Sequence, residues 1–230
     1  MALIRSKMFW IILIVVIIAV ATGVGIWRSW GIDHTPGFVR FGVSYDPYYA
    51  NSLDLNPFTT FDAILAELKV KRVRLSARWD IAEPNPGEYN WDQTDLFVAK
   101  ASQANASIIL AIGAKLPRWP ECYRPTWATK LTAEEYRAAV LEFVEESVRH
   151  FQANTTIIAW QVENEPLVNW FGDCPKPDPK LVKEEIALVK KLDPRPVLVT
   201  DSGEMSMWYP AAKLGGDWFG TTLYRVVKDQ

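Results

Sequence analysis

Cysteine and histidine are scarce: the 230 residues hold two of each. Cys122 and Cys174 lie far apart in loop-like segments, which leaves open one disulfide, formed outside the cytoplasm, or two free thiols. His34 falls in a linker and His150 on the outer face of a helix, so neither makes a metal ligand. No His/Asp/Glu spacing fits a metal site, and no metal or other cofactor is expected. Charge of one sign is missing too: 25 basic residues stand against 27 acidic ones, with no basic run. That excludes the electrostatic footprint of a nucleic-acid binder. Internal repeats and low-complexity tracts are absent. What the chain does have is 49% hydrophobic residues, enough for a real core, and eleven Trp, which serve either packing or flat sugar-stacking faces.

Met8 to Trp27, centred on "IILIVVIIAV", carries no charge. As a helix it would be about 30 Å long, the thickness of a bilayer core. Arg5 and Lys7 precede it, so residues 1–7 are expected in the cytoplasm. The segment 8–27 reads as a transmembrane signal anchor or, with Ala19-Val20-Ala21 as a cleavage site, as a removed signal peptide. Either exports the remainder, which is then anchored on the cell surface or secreted. Residues 28–37 read as a linker and 38–230 as the domain.

Within that domain strands alternate with helices. Apolar runs predict strands at 38–45, 72–79, 107–114, 157–162, 196–203 and 218–227. Phe61, Ile64, Leu65 and Leu68 share one helical face, and a weaker helix covers 94–105. Thr132 and Glu135 form a capping box ahead of a helix reaching Phe151. Asp178 caps the next, with Pro179 in its first turn. This order predicts an α/β fold with a parallel sheet. A doubly wound sheet would carry a Gly-rich phosphate loop after strand one, where this chain has "SYDPYYANSLDLNP". A (β/α)₈ TIM barrel puts chemistry at the C-terminal strand ends, where Arg78-Trp79-Asp80, Lys115, Asn164-Glu165 and Asp201-Ser202 fall. The barrel is the better fit. Six units fall short of the eight strands of a complete barrel, so the sequence is expected to be a fragment cut before the last two.

The run "IIAWQVENEPL" (157–167) passes from a buried strand straight into acids. Strand four delivers Asn164 and Glu165 to the barrel mouth, and Pro166, lacking an N–H, ends the ladder. A shielded carboxyl there can donate a proton near neutral pH, and the amide beside it can hold a substrate hydroxyl. Glu163 is two residues from Glu165 and is expected to share its face as a supporting or salt-bridged acid.

Asn164-Glu165-Pro166 at strand four resembles the acid/base motif of the clan A glycoside hydrolases, retaining (β/α)₈ families that include cellulases, mannanases, β-galactosidases and β-xylosidases. "RWDIAEPNPGEYNWDQTD" (78–95) resembles the segment after strand two in several of them. The resemblance implies Glu165 as acid/base, Asn164 as partner of the sugar 2-hydroxyl, Arg74 as the arginine that keeps the nucleophile ionised, and Tyr224 as an aromatic hydroxyl on that nucleophile. Where some members have a histidine two residues before that tyrosine, this chain has Thr222. The nucleophilic Glu belongs at the end of strand seven, beyond this sequence, and Glu204 after strand five is not expected to replace it. Trp79, Trp119, Trp170 and Trp208 are candidate sugar-stacking faces. The implied activity is hydrolysis of β-linked oligo- or polysaccharides without a cofactor. A surface carbohydrate-binding pseudoenzyme is the alternative, and a non-glycosidase barrel using Lys115 is a third reading.

Overall fold

The structure is a computed structural model that describes residues 2–29, 40–204 and 206–223. It divides into two compact units, Met1–Val39 and Arg40–Gln230. The first contains helix α1 (Ala2–Ser29), which continues through Arg28 and Ser29, two positions expected in the linker. The remainder of that linker lies outside the described residues. Side chains of α1 are described for residues 8–23, and apart from half-buried Leu13 they are exposed. Among the described residues no helix is long and apolar enough to cross a membrane.

The second unit is a half-barrel. Six strands lie in sequence order: β1 (Val43–Ser44), β2 (Arg72–Ser76), β3 (Ser107–Ile112), β4 (Ile157–Val162), β5 (Val197–Asp201) and β6 (Trp218–Thr221). Every neighbouring pair is parallel. Helices α2 (Pro47–Ser52), α3 (Pro57–Ala66), α4 (Trp79–Ala82), α5 (Asp92–Gln103), α6 (Ala133–Phe151), α7 (Pro179–Leu192) and α8 (Tyr209–Ala212) run between the strands.

Local chemistry explains the helix starts. Asp46, Asn56 and Asp178 each accept two backbone N–H groups at the head of a helix whose first residue is Pro, and Thr132 with Glu135 completes the expected capping box. Helix α5 begins at Asp92, two residues before the expected start, with acidic Asp92 and Asp95 in its first turn. The strands are shorter than their apolar runs. β2 stops at Ser76 because Arg78 leads into α4, and β3 stops at Ile112 because Gly113 is left-handed (φ 113°). β6 ends at Thr221, and the expected extension through Tyr224 lies outside the described residues.

The core lies between sheet and helices. Val73, Leu75, Ile108, Leu110, Trp160 and Val197 pack against Phe61, Phe97, Phe143, Val144, Ile186 and Val189. Burying each such side chain contributes about 1.5–3 kcal/mol. Because strand side chains alternate, the opposite row faces the barrel interior, and there the residues turn polar.

Candidate active site

Ser44, Arg74, Gln161 and Thr200 form a hydrogen-bonded polar row on that face. Arg74 on β2 donates to the amide oxygen of Gln161 on β4 (3.1 Å) and to Ser44 Oγ on β1 (2.7 Å). β2 and β4 are not neighbours, so this bond crosses over β3, where Ala111 is in register with Gln161 and leaves room. Gln161 Nε2 in turn reaches the Glu163 carbonyl (3.0 Å), Asn164 Oδ1 (3.3 Å) and Thr200 Oγ on β5 (3.5 Å). A polar residue inside an otherwise apolar strand was the signal for Gln161, and it was available in the sequence.

Two left-handed residues, Glu163 (φ 56°) and Glu165 (φ 46°), bend the chain after β4. They break strand alternation, so Glu163 and Glu165 do not share a face, contrary to expectation. The Glu163 carboxylate turns aside and accepts the N–H groups of Ala114 (2.7 Å) and Lys115 (2.5 Å). Among the described residues it forms no salt bridge; the Lys115 ammonium pairs with Glu121 instead. Gly113 permits this approach, since a Cβ there would lie 2.3 Å from a Glu163 oxygen. Asn164 donates its N–H to the Lys115 carbonyl (2.6 Å) and its Nδ2 to Glu121 (3.2 Å). Glu165 donates its N–H to Thr200 Oγ (3.0 Å).

Lys115 ties these parts together. Its ammonium donates to the carbonyls of Glu165 and Val168, each at 2.9 Å, and pairs with Glu121 at 3.3 Å. Lys115 is 6% exposed, so this ammonium is committed to holding the turn and is not poised as a Schiff-base amine. Glu121 has no periodic signal in "PECYRP", and only the fold brings it here.

The Glu165 carboxyl is 9% exposed. Burial pushes it above the ordinary carboxylate range; Lys115 opposes this, while Glu204 and Asp201 add to it. Thr222 hydrogen-bonds Glu165 and also donates to Glu204 (3.1 Å). A carboxyl shifted in that direction at the C-terminal end of a barrel strand is better suited to lend a proton to a leaving oxygen.

A family model for beta-galactosidase, glycoside hydrolase 42, matches residues 48–178, which spans α2 to the cap of α7 and includes Arg74, Asn164 and Glu165. The chain belongs to this family. A beta-galactosidase LacZ from Lactobacillus acidophilus is 25% identical over 113 residues, 42% of this chain and 16% of that protein. Among solved structures, the beta-galactosidase of psychrophilic Marinomonas ef1 superposes with TM-score 0.59 at 13% identity, covering 81% of this chain and 41% of that one. The exo-beta-1,4-mannosidase Op5Man5 from Opitutaceae bacterium strain TAV5 gives 0.62 at 15% identity, with coverages of 78% and 35%. Xylanase 10B from Thermotoga petrophila gives 0.56 at 17%, with 75% and 52%. These structural likenesses establish the TIM-barrel glycosidase fold. The chain spans only 16% of the LacZ enzyme and about half or less of these structures.

Within this member of the family the four candidate tryptophans separate. Trp79 is fully buried, stacks on Phe143 and donates to Glu83 (2.7 Å), so it has no face for a sugar. β2 ends before it and α4 carries it into the core. Its partner Glu83 also accepts the Gly87 N–H (2.8 Å), which makes the "RWDIAEPNPGEYNW" segment a folded clamp. Trp119, Trp170 and Trp208 are 66%, 53% and 46% exposed. Trp119 meets Phe171 edge-on and borders a cleft of about 360 Å³ with Tyr48, Tyr49, Arg78 and Tyr123. Trp208 donates to the Ser202 carbonyl (2.7 Å) after β5. Cys122 and Cys174 are joined as a disulfide between the loops after β3 and β4. Tyr224 lies outside the described residues. Among the described residues no group of three or more His, Cys, Asp or Glu is placed to hold a metal.

Proposed function

We propose that this chain is the acid/base half of a retaining β-glycosidase. Glu165 protonates the departing glycosidic oxygen and then takes the proton of the attacking water. Asn164, its amide nitrogen held by Glu121, presents its position to the sugar 2-hydroxyl. Arg74 and, from outside the described residues, Tyr224 serve the nucleophilic carboxylate. Two carboxyls about 5 Å apart complete such a site without a cofactor. The observation that carries this reading is Glu165: buried, raised above the ordinary carboxylate range, and fixed through Thr200 and Lys115 at the end of β4.

The substrate class proposed is a β-linked galactoside or related oligosaccharide, with Trp119 and Trp170 as stacking faces. Export is part of the reading. It is supported by the disulfide and by the charge-free 8–27 run, which lies within the 28-residue α1. That run would anchor the domain outside the cell membrane, or be cleaved to release it.

The test compares Glu165→Gln with the parent, both in a version that carries the nucleophilic carboxylate, on aryl β-galactosides of graded leaving group. The variant is expected to lose about 10²–10⁴-fold in kcat on poor leaving groups and much less on activated ones. Equal turnover on poor leaving groups removes Glu165 from the chemistry. The exposed tryptophans also support a second reading, sugar binding without hydrolysis. Saturable binding of an oligosaccharide by a parent protein that cleaves none of the series selects it.

A further inference from the structure

Behind the Glu165 carboxyl lies a second acid pair that the glycosidase reading does not use. Glu163 turns toward α7, where Glu185 is 1% exposed, and the two carboxyls hydrogen-bond each other. Two carboxylates in contact away from water cannot both stay ionised, so a hydrogen bond between them needs one proton. Both Glu163 oxygens already accept backbone N–H groups, which makes Glu163 the acceptor. Glu185 is then the neutral donor. Its Oε2 is buried without a hydrogen-bond partner among the described residues, a far smaller cost for a neutral carbonyl than for half of a carboxylate.

The pair is wired to the acid/base residue through Lys115. Glu163 holds the Lys115 N–H, the Lys115 carbonyl holds the Asn164 N–H, and the Lys115 ammonium holds the Glu165 and Val168 carbonyls. A cavity of about 70 Å³ lined by Glu163, Glu185, Lys115 and Tyr136 has room for water to carry a proton to the pair.

We propose that Glu163 and Glu185 share one proton and act as positioning residues that hold the turn aiming Glu165. This rests on Glu165 being the acid/base. Burial pushes Glu163 up to about 7 and, followed by repulsion from Glu163, carries Glu185 well above its ordinary value. The charged groups facing the pair are Lys115 from the loop after β3, Arg137 on α6 and Asp178 at the head of α7, with Tyr136 on α6 beside them. Because both folded-state values are raised, the stabilisation is complete below about 4.5 and is lost in two steps, the first near 7 as Glu163 ionises and the second at higher pH as Glu185 gives up the shared proton. Above the second step, two buried negative charges repel and the clamp on Ala114 and Lys115 loosens.

The test is infrared and NMR titration of the full chain and its Glu185→Gln variant from about pH 5.5 to pH 8.5, on either side of the Glu163 value near 7. The parent-minus-variant infrared difference should contain a protonated-carboxyl C=O band that persists above 7, where Glu163 has ionised and Glu185 keeps the proton. Amide resonances of Ala114, Lys115, Asn164, Glu165 and Val168 should move in the parent with a midpoint near 7 as Glu163 ionises. In Glu185→Gln, whose amide remains a neutral donor to Glu163, the band should be lost while the movement remains. Absence of the band, or movement confined to Ala114 and Lys115, overturns the proposal. Should Glu185→Gln fail to fold, Glu163→Gln serves in its place, with the movement near 7 expected to vanish. Neither readout depends on turnover, so failure here is distinguishable from a failure of Glu165→Gln to lose activity.

Discussion

Replacing Arg195 by Ala should cripple the base of the half-barrel. Arg195 donates to both oxygens of Asp193 (2.8 and 2.6 Å), and to the carbonyls of Phe151 (3.4 Å), Gln152 (3.1 Å), Asn154 (2.8 Å) and Ile157 (2.8 Å). Its guanidinium also lies 4.9 Å from the Trp160 ring centroid. One side chain therefore joins the C-terminus of α6, the start of β4 and the approach to β5. The Asp193 side chain is 4% exposed, so removing its partner leaves a buried, uncompensated carboxylate. That costs about 3–5 kcal/mol, a large share of the roughly 5–15 kcal/mol that holds a typical domain together. With a urea slope of about 2 kcal/mol per M, the midpoint should fall by about 2 M. The pH dependence checks the cause. Burial alone would raise the Asp193 carboxyl, but its bonds to Arg195 more than reverse this and hold it below 3.8. In the parent that stabilisation is present above 3.8 and is lost as pH falls through the lower folded value. In the variant only the residue-195 backbone N–H and Trp160 remain to oppose burial, so Asp193 takes up a proton at higher pH than in the parent and its penalty lifts. The gap between parent and variant in urea unfolding, followed by Trp fluorescence, should narrow from pH 7 toward about pH 4.5. A midpoint shift below about 0.5 M at pH 7, or a gap that does not change with pH, refutes the reasoning.

Gly113→Ala should destabilise by about 2–4 kcal/mol, because it adds a Cβ against the Glu163 carboxylate to left-handed backbone strain; unfolding within 0.5 kcal/mol of the parent, on the order of measurement scatter, would contradict this close approach. Trp79→Ala should cost about 3–5 kcal/mol in thermal or urea unfolding, since the ring is wholly buried against Phe143 and Trp127. Trp119→Ala should change stability by less than about 0.5 kcal/mol while weakening oligosaccharide binding in titration calorimetry. Unaltered binding would remove Trp119 from the sugar-stacking faces.

Much of this protein is legible one residue at a time. The capping box at Thr132 and the Asp178-Pro179 start of α7 depend on hydrogen bonds within three residues, so local sequence decides them. The six parallel strands follow from alternating apolar runs and helical stripes, and Asn164 and Glu165 at the end of β4 follow from where one run stops. Tertiary structure decided the rest. Trp79 was a candidate for the barrel mouth until α4 turned it into the core, because a tryptophan beside a strand end suits either place. Glu163 and Glu165 were expected on one face until two left-handed residues separated them, a conformation held by hydrogen bonds from the loop after β3 that no local pattern announces. Lys115 was legible at a strand end, but Glu121 and Glu185 join the site from distant stretches of chain. Their partners become neighbours only when parallel strands align their C-terminal ends, and sequence spacing carries no trace of that.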